Sequence, residues 1–149
     1  MTEALRREAI VARLDALHRA VAHLRAHQKT TLAKYLRDED EQWIVERGLQ
    51  LAAEASLDIC SHIAAALRLP PPVDYTQAVD RLAEAGVLPA AFAAQFRKIG
   101  GFRDLLTHAH LEIDPHIVHQ ALVERLDDFD AFSRHIAAFL KQHGDATPA

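Results

Sequence analysis

Apolar side chains recur at Ile10, Leu14, Leu17, Val21 and Leu24, a 4-3-4-3 spacing. Steps of three and four residues each approximate one helical turn, so the five side chains line a single seam of one helix. Such a seam is heptad-like and buries itself along another long helix crossing at a shallow angle. The second pattern, Ile44, Leu51, Ala55, Ile59 and Ile63, predicts a long helix over residues 40–67 with those side chains facing inward. Strong helix formers (Ala, Leu, Arg, Glu) dominate, and nothing alternates with strand period over a useful length. The expected fold is an all-α bundle.

Local signals divide the rest of the chain. A shorter helical piece fits residues 31–37. Pro70-Pro71-Pro72 ends regular structure, because consecutive prolines lack donors and force extended geometry. Asp74 reads as the N-cap of a short helix reaching Ala85, with Gly86 as its stop. Another short helix is expected from near Pro89 toward Lys98, broken by Gly100-Gly101, which permit a tight approach to the helix that follows. Asp114 as N-cap and Pro115 at the first helical position open a final helix. Its apolar positions Ile117, Val118, Ala121, Leu122, Leu126, Phe129, Phe132, Ile136 and Phe139 run on until Gly144. The expected organisation is one helical domain over residues 1–143 and a flexible tail over 144–149.

With 149 residues, half of them hydrophobic and only five of them Gly, the chain has the material for a core and not the composition of a disordered segment. The single Cys60 sits among apolar neighbours, which excludes an intramolecular disulfide and reads as a buried, inert thiol. That usage suits a reducing cytoplasm. The N-terminus is charged and then amphipathic, unlike a signal peptide, and no apolar run approaches bilayer length. A cytoplasmic chain without a membrane partner is expected. The formal charge of −4 excludes a general nucleic-acid coat, so any RNA contact has to be a local patch.

Chemistry concentrates in residues 100–110. As a helix, this stretch places Phe102, Leu105, Leu106 and Ala109 on one face and Arg103, Asp104, Thr107, His108 and His110 on the other. A cation, a carboxylate, a hydroxyl and two imidazoles suit acid–base work on an anionic substrate. Spacing alone is weak support. Arg-x-x-x-x-His also occurs at Arg13 and His18, which read as solvated surface, and the motif face itself could be a solvated ion pair. His108, His110, Asp114, His116 and His119 are dense, yet His108 and His110 point about 200° apart and no His-Glu-x-x-His pattern is present. His116 and His119 share a face and read as a solvated pair. No metal is assigned. Ser61 and Ser133 lack a nucleophile context, no phosphate-binding glycine loop occurs, and no cofactor is assigned.

Residues 98–114, Lys-Ile-Gly-Gly-Phe-Arg-Asp-Leu-Leu-Thr-His-Ala-His-Leu-Glu-Ile-Asp, resemble the motif helix of HEPN-domain proteins. In particular they resemble HepT-type ribonuclease toxins, whose motif is Arg, a polar residue, a short spacer and His-x-Tyr. Arg103, Asp104 and His108 match it position by position. Residues 45–55 resemble the family's second long helix, and residues 69–72 and 82–89 its connectors, so the likeness runs from the first helix to about Leu140.

The resemblance implies an antiparallel HEPN bundle of two or three long helices plus short ones. It further implies the toxin of a toxin–antitoxin pair, a metal-independent endoribonuclease in which the 2′-hydroxyl of RNA attacks the adjacent phosphate. Arg103 would bind phosphate, His108 would act as general acid or base, and Asp104 would orient it. His110 would be a second acid/base or RNA contact, Thr107 a secondary one, and Arg97 and Lys98 an extension of the basic rim. A homodimer would bring two motif helices together, and the partner would be a minimal nucleotidyltransferase antitoxin. The other implied role is a catalytically inactive HEPN module that binds the same partner. One position departs from the pattern. His110 stands where the family carries the tyrosine that receives AMP, so a modification transferred by position falls on an imidazole that has no phenol oxygen.

Overall fold

Ile10, Leu14, Leu17, Val21 and Leu24 form the buried edge of α1 (Arg7–Arg25), and α1 lies along α3 (Glu39–Ala66) as the sequence spacing predicts. The computed structural model describes residues 7–108 and 113–143. The remaining elements are α2 (Leu32–Arg37), α4 (Tyr75–Glu84), α5 (Ala90–Phe96), α6 (Ile99–His108), α7 (Pro115–Glu124) and α8 (Leu126–His143). The fold is all-α, and α3 is its axis, touching α1, α2, α4, α6, α7 and α8. Among the described residues no helix is long and apolar enough to cross a membrane. The expected tail over residues 144–149 lies outside the described residues.

Because α3 is packed on several sides, its buried arc is wider than one seam. Val45, Leu49, Ala52, Ala53, Leu57, Ile59, Cys60 and Ile63 are all inside. Ala55, Ile59 and Ile63 face inward as expected. Ile44 and Leu51 do not: they are 50% and 40% exposed, and with Trp43, 72% exposed, they mark an outer apolar strip. The inward row is Val45–Leu49–Ala52, one residue out of register with the expected one. Burial pushes the Cys60 thiol well above its ordinary pKa, in keeping with an inert core sulfur.

Side-chain caps set the helix starts. Thr31, Asp38, Asp74 and Asp114 each accept a hydrogen bond from a backbone N–H of the turn they open. At the α1–α2–α3 corner, the buried Glu41 carboxylate accepts from His27 Nδ1 at 2.7 Å, Thr30 Oγ1 at 2.7 Å and Lys34 Nζ at 3.0 Å. Arg25 closes the other side of the bundle on Asp127 at 2.9 Å and on Asp130. Arg13 is only half solvated. Its Nε lies 4.0 Å from Asp58 of α3 and its Nη1 donates to Ala9 O, while His18 is exposed as expected.

Two boundaries differ from the sequence reading. Gly100 and Gly101 do not break a helix; they occupy the first turn of α6, and the turn from α5 falls at Arg97–Lys98. The close approach is real, however. A Cβ on Gly100 would sit 2.7 Å from Thr76 Oγ1 and 3.0 Å from Thr76 N, so α6 crosses the start of α4 nearly backbone to backbone. The single final helix is two, parted at Arg125 (φ −113°, ψ −3°). Leu122, Leu126 and Phe129 stay buried across the break, so the apolar pattern runs through it unbroken. Ile117 is 46% exposed rather than core.

Candidate functional site

The orientation of α6 follows from Gly100. With its bare edge against Thr76, the helix buries Ile99, Gly100 and Leu106 and leaves Asp104 and His108 exposed. Arg103 and Thr107 fall between these sets and are half buried, as are Phe102 and Leu105. The expected division into one apolar and one open polar face is therefore not what the packing produces. Arg103 turns inward to neighbouring helices while His108 stays in solvent. Ala109 and His110 lie outside the described residues.

The Arg103 side chain is only 19% exposed. Its Nη2 lies 3.7 Å from Glu54 Oε2 on α3, and its Nη1 lies 3.3 Å from Asp104 Oδ1. The guanidinium carbon sits 4.9 Å from the centroid of the Tyr75 ring, at the start of α4. Glu54 is itself held by Gln50, whose Nε2 donates to Oε2 at 3.1 Å. Arg103 Nε is buried without a hydrogen-bond partner among the described residues. A planar guanidinium held in this way has N–H groups that can donate to further oxygen acceptors, although its Nε is buried.

The remaining motif residues are placed as follows. Thr107 Oγ1 donates to Arg103 O at 2.9 Å, closing a rung of α6. The Asp104 carboxylate faces Arg103, and no hydrogen bond joins it to His108. His108 is exposed and makes no hydrogen bond to a described residue. Arg97 forms a two-point pair with Asp80 of α4, at 2.9 and 3.1 Å, and holds that carboxyl below the usual carboxylate range. Lys98 is exposed.

Sequence reading missed Glu54, Gln50 and Tyr75. Gln50 and Glu54 are one turn apart on α3, but no pattern along the chain ties either to a residue about fifty positions later. The two histidines read as a solvated pair also separate. His116 bonds Asp114 at the surface, whereas His119 Nε2 donates to Thr30 O at 2.8 Å and its ring lies 5.5 Å from that of Tyr35. Among the described residues, no group of three or more His, Cys, Asp or Glu side chains is placed to hold a metal ion.

Comparison with known proteins bears on the same stretch. Residues 17–136 match the family described as Ribonuclease HepT-like. The tRNA nuclease HepT of Aphanizomenon flos-aquae (strain 2012/KM1/D3) is 30% identical over 131 residues, covering 88% of this chain and 89% of that protein. The tri-AMPylated HEPN toxin of Shewanella oneidensis, solved in complex with its MNT antitoxin, superposes with a TM-score of 0.78 at 23% identity, covering 87% of this chain and 97% of that one. The Bacillus subtilis cytosolic protein YutE, of unknown function, superposes with a TM-score of 0.82 at 18% identity, covering 95% and 94%. The structural likenesses establish a shared fold. The family match takes in α2 to α7 whole, the C-terminal half of α1 and most of α8, including the helix that carries Arg103 and His108, and on that basis the chain belongs to the HepT-like ribonuclease family.

Proposed function

We propose that this chain is the toxin of a toxin–antitoxin pair and cleaves RNA without a metal. The observation that carries this reading is the pairing on α6 of a preset guanidinium with an exposed imidazole: Arg103 held by Tyr75 and Glu54, His108 open to solvent. In the reaction, a base takes the proton of a ribose 2′-hydroxyl and the 2′-oxygen bonds to phosphorus. The bond from phosphorus to the 5′-oxygen breaks, and an acid protonates that leaving oxygen. Arg103 neutralises the non-bridging oxygens, and His108 exchanges the proton near neutral pH.

Base and acid are two groups, and α6 carries one imidazole among the described residues. A symmetric dimer supplies the second from its other subunit and brings a second guanidinium to the same cleft. Asp104 tunes Arg103, His110 serves as a second RNA contact or acid/base, and Thr107 and Lys98 lie along the track. Arg97 contributes to it only by giving up Asp80. The relative from A. flos-aquae makes transfer RNA the first substrate to test. The S. oneidensis complex makes a minimal nucleotidyltransferase the partner to test. AMP transfer by position would fall on His110.

The test is cleavage of RNA by purified protein in excess chelator. Arg103→Ala and His108→Ala are each expected to slow it by about 100-fold or more. Cleavage at the parental rate by both variants overturns the site.

A second reading has its own observation. Arg103 already faces two carboxylates, Glu54 and Asp104, so the guanidinium adds no net positive charge. A catalytically silent module that only binds the nucleotidyltransferase fits that arrangement. It predicts a tight complex, intact RNA and normal growth when the chain is expressed alone.

A further inference from the structure

On the flank of α6 away from Arg103, a cavity of about 220 Å³ opens between α3, α5, α6, α7 and α8. We infer that this cavity binds one nucleobase, with Lys98 and Arg125 at its mouth taking the attached phosphate. The inference rests on the reading of α6 as an RNA-processing site and names how that site selects its substrate.

Three phenylalanines, Phe96, Phe102 and Phe129, supply its walls. Phe96 is fixed in place, stacked on Phe92 at 5.0 Å and on Phe132 at 4.8 Å, with Phe129 edge-on at 6.2 Å. The faces of Phe96 are engaged by Phe92 and Phe132, so the walls meet a planar ligand as an apolar lining that is ordered in advance. The volume is below the roughly 300–1,000 Å³ of sites for drug-sized molecules, which suits a single ring system.

The polar groups exclude a purely hydrocarbon occupant. Gln95 and Gln120 carry amides, each with a donor and an acceptor, as reading the edge of a base requires. The Gln95 amide and the Lys98 ammonium have no side-chain partner among the described residues, and Gln120 reaches Glu124 only at 3.5 Å. Arg125 keeps a loose 3.7 Å contact with Asp128, whose carboxyl burial pushes upward.

Position completes the argument. Ile99 and Phe102 come from α6, the helix that also carries Arg103 on its other flank. Ile117, Gln120 and Ala121 come from α7, the next helix after α6. A base seated here therefore anchors its nucleotide against the two helices that flank the motif segment.

The test is titration of the full chain with each of the four nucleoside 5′-monophosphates, followed by NMR, and competition with a short single-stranded RNA. At least one nucleotide is expected to bind. Ile117→Trp, at a half-exposed position where the new ring fills the cavity, is expected to weaken it at least tenfold. Gln120→Ala is expected to change which base is preferred, and it reports independently if the tryptophan variant does not fold. Displacement by RNA assigns the site to the substrate; no displacement assigns it to free nucleotide. Either result supports base binding. Absence of binding by all four nucleotides, or binding that neither variant alters, overturns it. A protein that binds nucleotide here but leaves RNA intact refutes the nuclease reading and not the cavity.

Discussion

The guanidinium of Arg103 lies over the ring of Tyr75, 4.9 Å from its centroid, so the cation of α6 is positioned by the first residue of α4. A cation–π contact of this kind contributes about 0.5–2 kcal/mol, with the larger values where water is excluded. Tyr75→Phe keeps the ring face and is expected to retain RNA cleavage. Tyr75→Ala removes the support and is expected to lower initial cleavage rates about tenfold, the equivalent of about 1.4 kcal/mol. Equal rates for both variants would show that Glu54 and Asp104 suffice to place Arg103.

The adjacent glycines of α6 make opposite predictions. At Gly100 a methyl group meets Thr76 at 2.7 Å and its backbone nitrogen at 3.0 Å, whereas at Gly101 nothing lies within 4 Å. Gly100→Ala is expected to cost about 1–3 kcal/mol of stability by forcing α6 off α4. Gly101→Ala is expected to be neutral or to stabilise by up to about 1 kcal/mol through helix propensity. Urea melts of the two variants separate the effects.

Glu41 makes stability depend on acid. Burial alone would raise its pKa, but the donors His27, Thr30 and Lys34 outweigh burial and hold it below the ordinary 4.5. A carboxyl depressed in the folded state adds stability that is present above its unfolded pKa. That stability is lost as pH falls through 4.5 toward the folded value. Glu41→Gln is expected to cost about 1–3 kcal/mol at neutral pH and to flatten the acid limb of a stability-versus-pH curve.

Tyr35 is fully buried and its hydroxyl has no partner among the described residues, while the neighbouring His119 ring is anchored to Thr30 O. Tyr35→Phe is expected to be neutral or stabilising by up to about 1 kcal/mol, because an unpaired polar atom leaves the core. His119→Ala is expected to destabilise by about 1–2 kcal/mol. Thermal denaturation of both tests the pair.

What the sequence makes legible here is local. Asp74 and Asp114 are readable as caps because each bonds a backbone N–H only two or three residues on. The α1 seam is readable because one partner, α3, dominates its burial. Ile44 and Leu51 mislead because α3 is covered from several directions, so a single seam does not describe its inside. The break at Arg125 leaves no mark because the apolar residues on either side stay in phase. At the site, Arg103 and His108 can be named from the motif. The tilt that sends one inward and the other outward depends on Gly100 meeting Thr76, and the partners Glu54 and Tyr75 are brought in by the tertiary fold.

Trp43 is the sole tryptophan of the chain and stands on the outer strip of α3, beside Ile44. The intrinsic emission of the protein therefore comes from one indole on one known surface. In the free chain it should be red-shifted and easily quenched by iodide. A second copy or a partner protein seated on that strip would turn it blue and shield it, without any label having to be attached. The chain thus carries a built-in optical gauge that would report association at α3 separately from any RNA cleavage.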